Sequence, residues 1–565
     1  MAPRTSHPPF ARRLGLAASA LLWALTLLAS PTAATTFWIT DFGALPDDGL
    51  DDGSAIQAAI DAACDELALG TLDVEVAVPP GVFELTRGDE PTADLPWVIL
   101  KLPCSGLTIR GQPAVNGSAP TLRLAAAQGA FESLLGSAEF AQPVDRLTLR
   151  DLTFDGNGAE NPILGGDDDF DDVLREPRYA LRVYTGSGIR IENTRFTGWR
   201  NLNVITLNGV EVADVAIVGN RFDAIGQPPE LAPDWDHSTI YTDCAGALIE
   251  DNKFSSLGPG TFGVRTAIET HGPNQIVRGN RIESYTTGLN VTGVSVLGSN
   301  FHRVENNQFL GVADGIRIWA FEVAGNPPGE PVLVDAVIRN NLIEIAVDAW
   351  RGTQDAFEQA NVGISLVANS DGVIEDLTLE ANEIIFGDFG LAPRDYDRNS
   401  AGIRLSPDLL PDLPISGLTL RRNTITNALA TAIYLGSPLP EGATLAHTRI
   451  VNAGAGPKTL PDGLKTGILV FGAYRDVTIQ DTCLVDTNPA GPTLAQAFYL
   501  FADSLGGSRI ADTGLELASG SLEFLRLEEP IGMPWEVQPP TASCSSIFRD
   551  SFERGDTTAW SSASR

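Results

Sequence analysis

Asp243, Glu269, His271 and Arg317 are the residues of this 565-residue chain whose types and spacing best suit bond-breaking chemistry. Glu269 and His271 stand two apart in T-A-I-E-T-H, Asp243 closes T-I-Y-T-D, and Arg317 lies in D-G-I-R-I-W, two before Trp319. The chain has five histidines, so one beside an acid carries more weight than a common residue would. Two carboxylates on neighbouring segments can divide the labour of a hydrolysis, one protonating the leaving oxygen while the other activates water or attacks directly. The same set suits an elimination, in which Arg317 or Arg265 neutralises a substrate carboxylate and His271 or Tyr241 removes the adjacent proton. Arg182, Tyr184, Tyr241, Arg265, Asn290 and Trp319 are the candidate substrate-binding residues, with Trp319 offering a ring face for stacking. Asp236 and His237 stand just upstream. The plainer alternative is that Glu269 only pairs with the Arg317 column as an exposed ion pair, worth under about 1 kcal/mol.

Such residues act together only if the chain brings them together, and a recurring strand does so. The phrase small, apolar, variable, apolar appears in T-A-I-E-T-H, T-G-L-N-V-T, D-G-I-R-I-W, V-G-I-S-L-V at Val362, A-G-I-R-L-S at Ala401, T-A-I-Y-L-G at Thr431 and T-G-I-L-V-F at Thr466. Side chains alternate along a strand and neighbouring strands lie about 4.8 Å apart, so matching positions form columns. One column reads Arg182, Thr206, Tyr241, Glu269, Asn290, Arg317, Ser365, Arg404. The next, two residues on, reads Tyr184, Asn208, Asp243, His271, Thr292, Trp319, and past Trp319 it becomes Val367, Ser406 and Gly436. The chemically rich face is therefore expected on the middle of the stack.

A second phrase alternates with the first: an apolar strand, then Asn, any residue, and Phe or Ile. It occurs at Asn220, Asn252, Asn280, Asn307, Asn341, Asn382 and Asn423, with looser versions at Asp151, Asn193 and Asp481. The first intervals are 32, 28 and 27 residues, and later ones reach 41 where insertions intervene. A short period with insertions marks a solenoid, and strand-like alternation excludes the helical solenoids. The asparagines are expected to be structural, tolerating left-handed backbone at a tight turn and bonding to their counterparts one coil away.

The open end of a solenoid needs a cover. Asp41 to Cys64 reads D-F-G-A-L-P-D-D-G-L-D-D-G-S-A-I-Q-A-A-I-D-A-A-C, with Ile56, Ala59, Ile60 and Ala63 on one helical face and Asp51, Asp52 and Ser54 as capping candidates. V-E-V-A-V-P-P-G-V-F-E-L follows, ending at Leu85. From Thr40 to Leu85 this resembles the N-terminal module of the pectate-lyase superfamily, the rhamnogalacturonase and epimerase-like group related to family 28 glycoside hydrolases and to phage tailspikes. The resemblance implies a right-handed parallel β-helix with a short N-terminal capping helix, acting on or binding a polysaccharide. The N-x-D, D-D, G-H-G and R-I-K series of the polygalacturonases is absent, and D-G-I-R-I-W echoes only its last element.

Composition sets the setting. Arg4, Arg12 and Arg13 before the apolar run Leu14 to Leu28, then Thr32-Ala33-Ala34, read as a cleavable signal peptide of a secreted protein. No later apolar run has the roughly 20 residues of a membrane helix, so no membrane insertion is expected. A net charge of −34 disfavours nucleic acid as a partner. Export permits disulfides; Cys64 with Cys104 and Cys483 with Cys544 are reasonable pairs, leaving Cys244 over. Calcium is a conceivable ligand of the acidic run Gly165 to Asp172, although this matches no defined calcium loop and reads better as a solvated insertion. The expected layout is a signal peptide over 1–34, cap and first strands over 35–85, coils over 86–504, a C-terminal segment over 505–545 and a tail over 546–565. That tail, F-R-D-S-F-E-R-G-D-T-T-A-W-S from Phe548, resembles a short terminal motif of assorted exported bacterial proteins and suggests sorting or surface retention. The functional expectation is a secreted polysaccharide hydrolase or lyase, the alternative a non-catalytic β-helical adhesin or glycan-binding surface protein.

Overall fold

The computed structural model describes residues 34–88, 97–113, 119–129, 131–161, 178–200, 203–207, 212–226, 238–257, 266–294, 301–321, 331–346, 361–368, 373–387, 400–405, 414–439, 442–455, 465–472, 474–501, 507–528, 535–540 and 543–544. Residues 1–33 of the expected signal peptide, the acidic run Gly165 to Asp172 and the tail from Phe548 lie outside the described residues.

Short strands separated by tight turns make the chain bend three times per coil, and the result is a right-handed parallel β-helix. Among the described residues its walls are three sheets of parallel strands, each strand beside those of the coils before and after it: a first wall of 14 strands that includes Thr266–Thr270, a second of 16 that includes Leu248–Glu250, and a third of 14 that includes Lys253–Ser256. The small residue of the recurring strand has a steric cause. Gly315, Gly363 and Gly402 face inward, where a Cβ would lie 2.5 Å from Cγ2 of Ile343, Ile384 and Ile425 respectively. Inside the third wall, Phe154, Phe196, Phe222 and Phe254 stack face to face at 5.3, 5.1 and 4.6 Å between ring centroids.

At the corner between the second and third walls the asparagines form the expected ladder. The side-chain carbonyl of each accepts from the backbone N–H and the side-chain amide of the one before, from Asn220 to Asn423, at 2.9–3.2 Å. Each side-chain amide also donates to a wall carbonyl, as Asn280 does to Ile249 at 2.9 Å. The left-handed backbone sits elsewhere than expected. The residue before each ladder asparagine takes it: Gly219, Asp251, Gly279, Asn306, Asn340, Ala381 and Arg422 have φ between 53° and 67°. The ladder asparagine has its amide committed to two bonds, so the preceding residue absorbs the turn. In the looser phrases Asp151, Asn193 and Asp481 occupy that left-handed place themselves.

The helix Gly53–Ala68 closes the N-terminal end with Ile56, Ala59, Ile60, Ala63 and Cys64 buried. Cys64 is bridged to Cys104 and Cys483 to Cys544, and Cys244 is a buried free thiol. Asp52 does not cap the helix with its side chain. Its carboxylate accepts from Leu45 and Glu84 N–H, at 2.8 and 3.2 Å, and so pins the entry turn to the first coil, while Asp51 accepts from Gly53 N–H. The walls continue after residue 504 through Arg509–Ala511, Gly514–Leu517, Glu523–Glu528 and Glu536–Val537.

His302, just before a second-wall strand, is 1% exposed with neither ring nitrogen hydrogen-bonded. Burial, with a smaller push from neighbouring Arg303, holds its pKa down at about 4.

Two measurements check this frame. Asn280→Ala strands buried partners in two coils and is expected to cost about 3 kcal/mol in denaturant unfolding, whereas exposed Arg281→Ala costs under about 1 kcal/mol. The unfolded chain takes up the His302 proton near pH 6.5 and the folded chain only near 4, so the stability this residue contributes is complete above 6.5 and falls by about 3 kcal/mol towards pH 4. His302→Leu should flatten that part of the stability-pH curve, and an unchanged curve would contradict the assignment.

Candidate functional site on the first wall

The strands of the first wall carry the predicted columns, and their pairing can be followed residue by residue. Arg182 lies beside Thr206, then Tyr241, Glu269, Asn290, Arg317, Ser365 and Arg404 in unbroken register. In the second column Thr292, Trp319 and Val367 are in register, and His271 N–H donates to the Thr242 carbonyl, which keeps His271 level with Asp243. Arg265, Asp236, His237 and Asn208 lie outside the described residues.

The centre of the face is Glu269. Its Oε1 accepts from Nε2 of His271 at 2.8 Å, and its Oε2 accepts from the Ser238 hydroxyl. Both side chains of the Glu269–His271 pair are less than a fifth exposed. The His271 ring leans on Tyr241, centroids 4.9 Å apart at 35°. Asp243, half-buried, sits diagonally across from Glu269 on the preceding coil, where strand geometry sets a Cα separation of about 8 Å. Asp243, Glu269, His271 and Tyr241 are thus brought together, with the carboxylate of Glu269 oriented on both oxygens.

Arg317 joins the same column but is engaged otherwise. Its Nε and Nη2 donate to Oδ2 of Asp314, in a pair whose side chains are 8% and 2% exposed. Asp314 Oδ1 also accepts from Val362 N–H at 3.0 Å. Glu269 pairs with His271, and Arg317 with Asp314. Asn290, 6% exposed, donates to Thr266 at 3.3 Å, and its Oδ1 is buried without a hydrogen-bond partner. Trp319 is half-buried.

At the N-terminal end of the column the arrangement is denser than the sequence suggests. The Arg182 guanidinium lies 4.8 Å from the Tyr179 ring centroid and 4.4 Å from that of Tyr184. Its Nε is 3.3 Å from Glu132, which also accepts from the Tyr184 hydroxyl. Burial pushes the Glu132 carboxyl above its ordinary value, against the pull of Arg182. Sequence reading missed Glu132 because it precedes a strand, Ser133–Ser137, in a coil without the asparagine phrase. It missed Ser238 and Asp314 too, although a signal existed: each opens its strand three residues before the column, the offset that Thr266 shares.

The rich face also reaches further than the middle coils. Beyond Arg404 the first column runs on through Tyr434, Leu469, Tyr499 and Arg526, with Arg404 5.9 Å from the Tyr434 centroid and Arg526 5.1 Å from that of Tyr499. Only the second column becomes plain after Trp319, and it regains an aromatic at Phe471.

No family model and no curated protein matches the sequence. Among solved structures, a glutamate mutant of the tailspike protein of E. coli bacteriophage HK620 in complex with pentasaccharide is 15% identical over 89% of this chain and 80% of that one, with a TM-score of 0.59. The tailspike protein of the same phage with its pentasaccharide is 14% identical over 86% and 78%, with a TM-score of 0.56. At these identities the likeness is one of fold, the right-handed parallel β-helix.

The buried Asp314–Arg317 pair makes a separable prediction. Asp314→Ala leaves a guanidinium buried without its carboxylate and should lower stability by about 3–5 kcal/mol, measured by urea unfolding. A loss below about 1 kcal/mol would mean that the pair is solvated.

Proposed function

We propose that this is an exported glycan-active enzyme that binds a polysaccharide along the first wall and hydrolyses a glycosidic bond between Asp243 and Glu269. The observation that carries the reading is Glu269, a half-buried carboxylate aimed by Ser238 and His271 with a second acid diagonal to it on the preceding coil. In this reading Glu269 activates water or attacks the anomeric carbon while Asp243 protonates the departing oxygen. Tyr241 and Trp319 offer ring surface to the sugar, and Asn290 aims a buried amide oxygen without a partner.

Hydrolysis is preferred to elimination because of Arg317. An elimination needs a cation for the uronate carboxylate; of the two candidates, Arg317 already spends its guanidinium on Asp314, and Arg265 lies outside the described residues. The pentasaccharide held by the tailspikes supports a glycan as the ligand of this fold. The N-terminal run of Arg12, Arg13 and Leu14 to Leu28 supports export.

The test is incubation of the purified protein with a panel of polysaccharides, read for new reducing ends and for absorbance near 235 nm. Reducing ends without that absorbance are expected, and Glu269→Gln should lower the rate at least about 100-fold while leaving glycan binding intact. Unsaturated products would replace hydrolysis by elimination. Binding without any cleavage would make the protein a β-helical adhesin.

A further inference from the structure

The cluster around Arg182 is three coils from Glu269 on the same column, about 14 Å along the helix axis. It is too far to join the bond-breaking groups, yet it is built with more care than a solvated surface requires. Four observations bear on what it does.

The first is an exposed aromatic that packs against an ordered one. Phe140, 46% exposed, meets the half-buried Tyr184 edge to face, with centroids 4.9 Å apart at 76°. Leaving a phenylalanine half in water costs free energy that burial against a ligand would recover. The second is a fixed donor. The Arg182 guanidinium is held between Tyr179, itself 4% exposed, and Tyr184, and is set against Glu132. Such a side chain loses little rotamer freedom when it meets a ligand.

The third is a closely packed glycine in the column. Gly136 is the residue paired with Arg182 on the preceding strand, and Lys101 is the one paired with Gly136. The column thus has a position without a side chain between two cations. A Cβ on Gly136 would lie 2.6 Å from the Ser133 hydroxyl and 2.8 Å from the Arg182 carbonyl, so neighbouring groups already fill the place a side chain would take and only glycine fits. The fourth is a polar group beside this glycine. The Ser133 hydroxyl is buried with no hydrogen-bond partner, and half-buried Lys101 has its backbone N–H on Gln57.

From these we infer that Phe140, Tyr184, Arg182 and Glu132 form a distal sugar-binding subsite, which takes a pyranose unit of the same glycan chain that Glu269 attacks. A sugar ring has an apolar face for Phe140 and Tyr184 and hydroxyls for Arg182, Glu132 and Ser133, and it carries both within one flat body. Arg182 set against Glu132 favours a unit that is neutral or singly acidic. Since the subsite and Glu269 are three coils apart on one register, a ligand touching both is an oligosaccharide segment lying along the helix axis, and the enzyme works inside chains. The inference rests on the proposed function for the identity of the ligand, but its own test is one of binding.

The test uses affinity electrophoresis of the full-length protein through native gels containing polygalacturonate, alginate, xylan or a bacterial O-antigen polysaccharide. Glu269→Gln serves as the background, so that cleavage does not confuse retention. Phe140→Ala, at a half-exposed position where folding is secure, and Arg182→Gln are each expected to weaken retention by the retaining glycan about 10-fold. In the otherwise unaltered enzyme, Phe140→Ala should raise KM for the polymer with kcat held, and should leave cleavage of oligosaccharides too short to span the two sites unchanged. Retention that is the same with and without Phe140→Ala overturns the subsite even if Glu269→Gln is inactive. Retention that is lost in Phe140→Ala while Glu269→Gln still cleaves at full rate upholds the subsite and overturns the assigned catalytic pair. No retention of the unaltered protein by any of the four glycans counts against both.

Discussion

The rest of the structure hangs on the ladder of side-chain amides from Asn220 to Asn423. Each amide is buried, and those from Asn220 to Asn382 close bonds to the coil before and the coil after, so a slip of one residue in these coils would strand donors and acceptors on both sides. Hydrophobic burial alone does not hold a parallel stack to a single register. Leu and Ile on neighbouring strands could exchange partners at little cost, whereas a chain of paired amides cannot. The ladder sits at one corner and the candidate site on another wall, yet it governs both, because the strands of all three walls pair coil by coil in one register.

That constraint explains why residues tens of positions apart in sequence act as neighbours. Asp243 and Glu269, Asn290 and Arg317, and Arg182 and Thr206 come together because their coils are in step. Insertions fall between coil corners and change the interval between repeats without disturbing the walls, as the 41-residue steps to Asn382 and Asn423 show. Chemistry can therefore vary at a column position while the frame stays the same, which is how one fold serves unrelated functions. The face is also a line, and its ends at Arg182 and Arg526 carry arginine against tyrosine as its middle carries acid against histidine.

Much of this was legible from the chain. The asparagine phrase revealed the repeat and its ladder, the D-D-G-S-A-I-Q-A-A-I segment revealed the cap, and aligning strand phrases by their small residue reproduced the first column from Arg182 to Arg404 in order. That alignment works because the small residue has a hard steric cause, the inward contact at Gly315, Gly363 and Gly402. What the alignment could not supply was the partner of each outward side chain. Arg317 reaches back three residues to Asp314, Glu269 finds Ser238 one coil away, and Tyr184 reaches Glu132. Such choices depend on side-chain length and local burial, which a repeat pattern does not encode. The left-handed turn residue was misplaced by one for a related reason: asparagine favours that backbone in isolation, but here its amide is worth more in the ladder.

The central claim is that a glycan lies along the outward face of the first wall, over coils held in step by the amide ladder. Hydrogen exchange of backbone amides, compared with and without a retained polysaccharide on Glu269→Gln protein, tests it most directly. Slowed exchange is predicted in residues 238–243, 266–271 and 287–292, with the ladder corner unchanged because it is already protected. Slowed exchange confined to the second or third wall, with these segments unaltered, would contradict it.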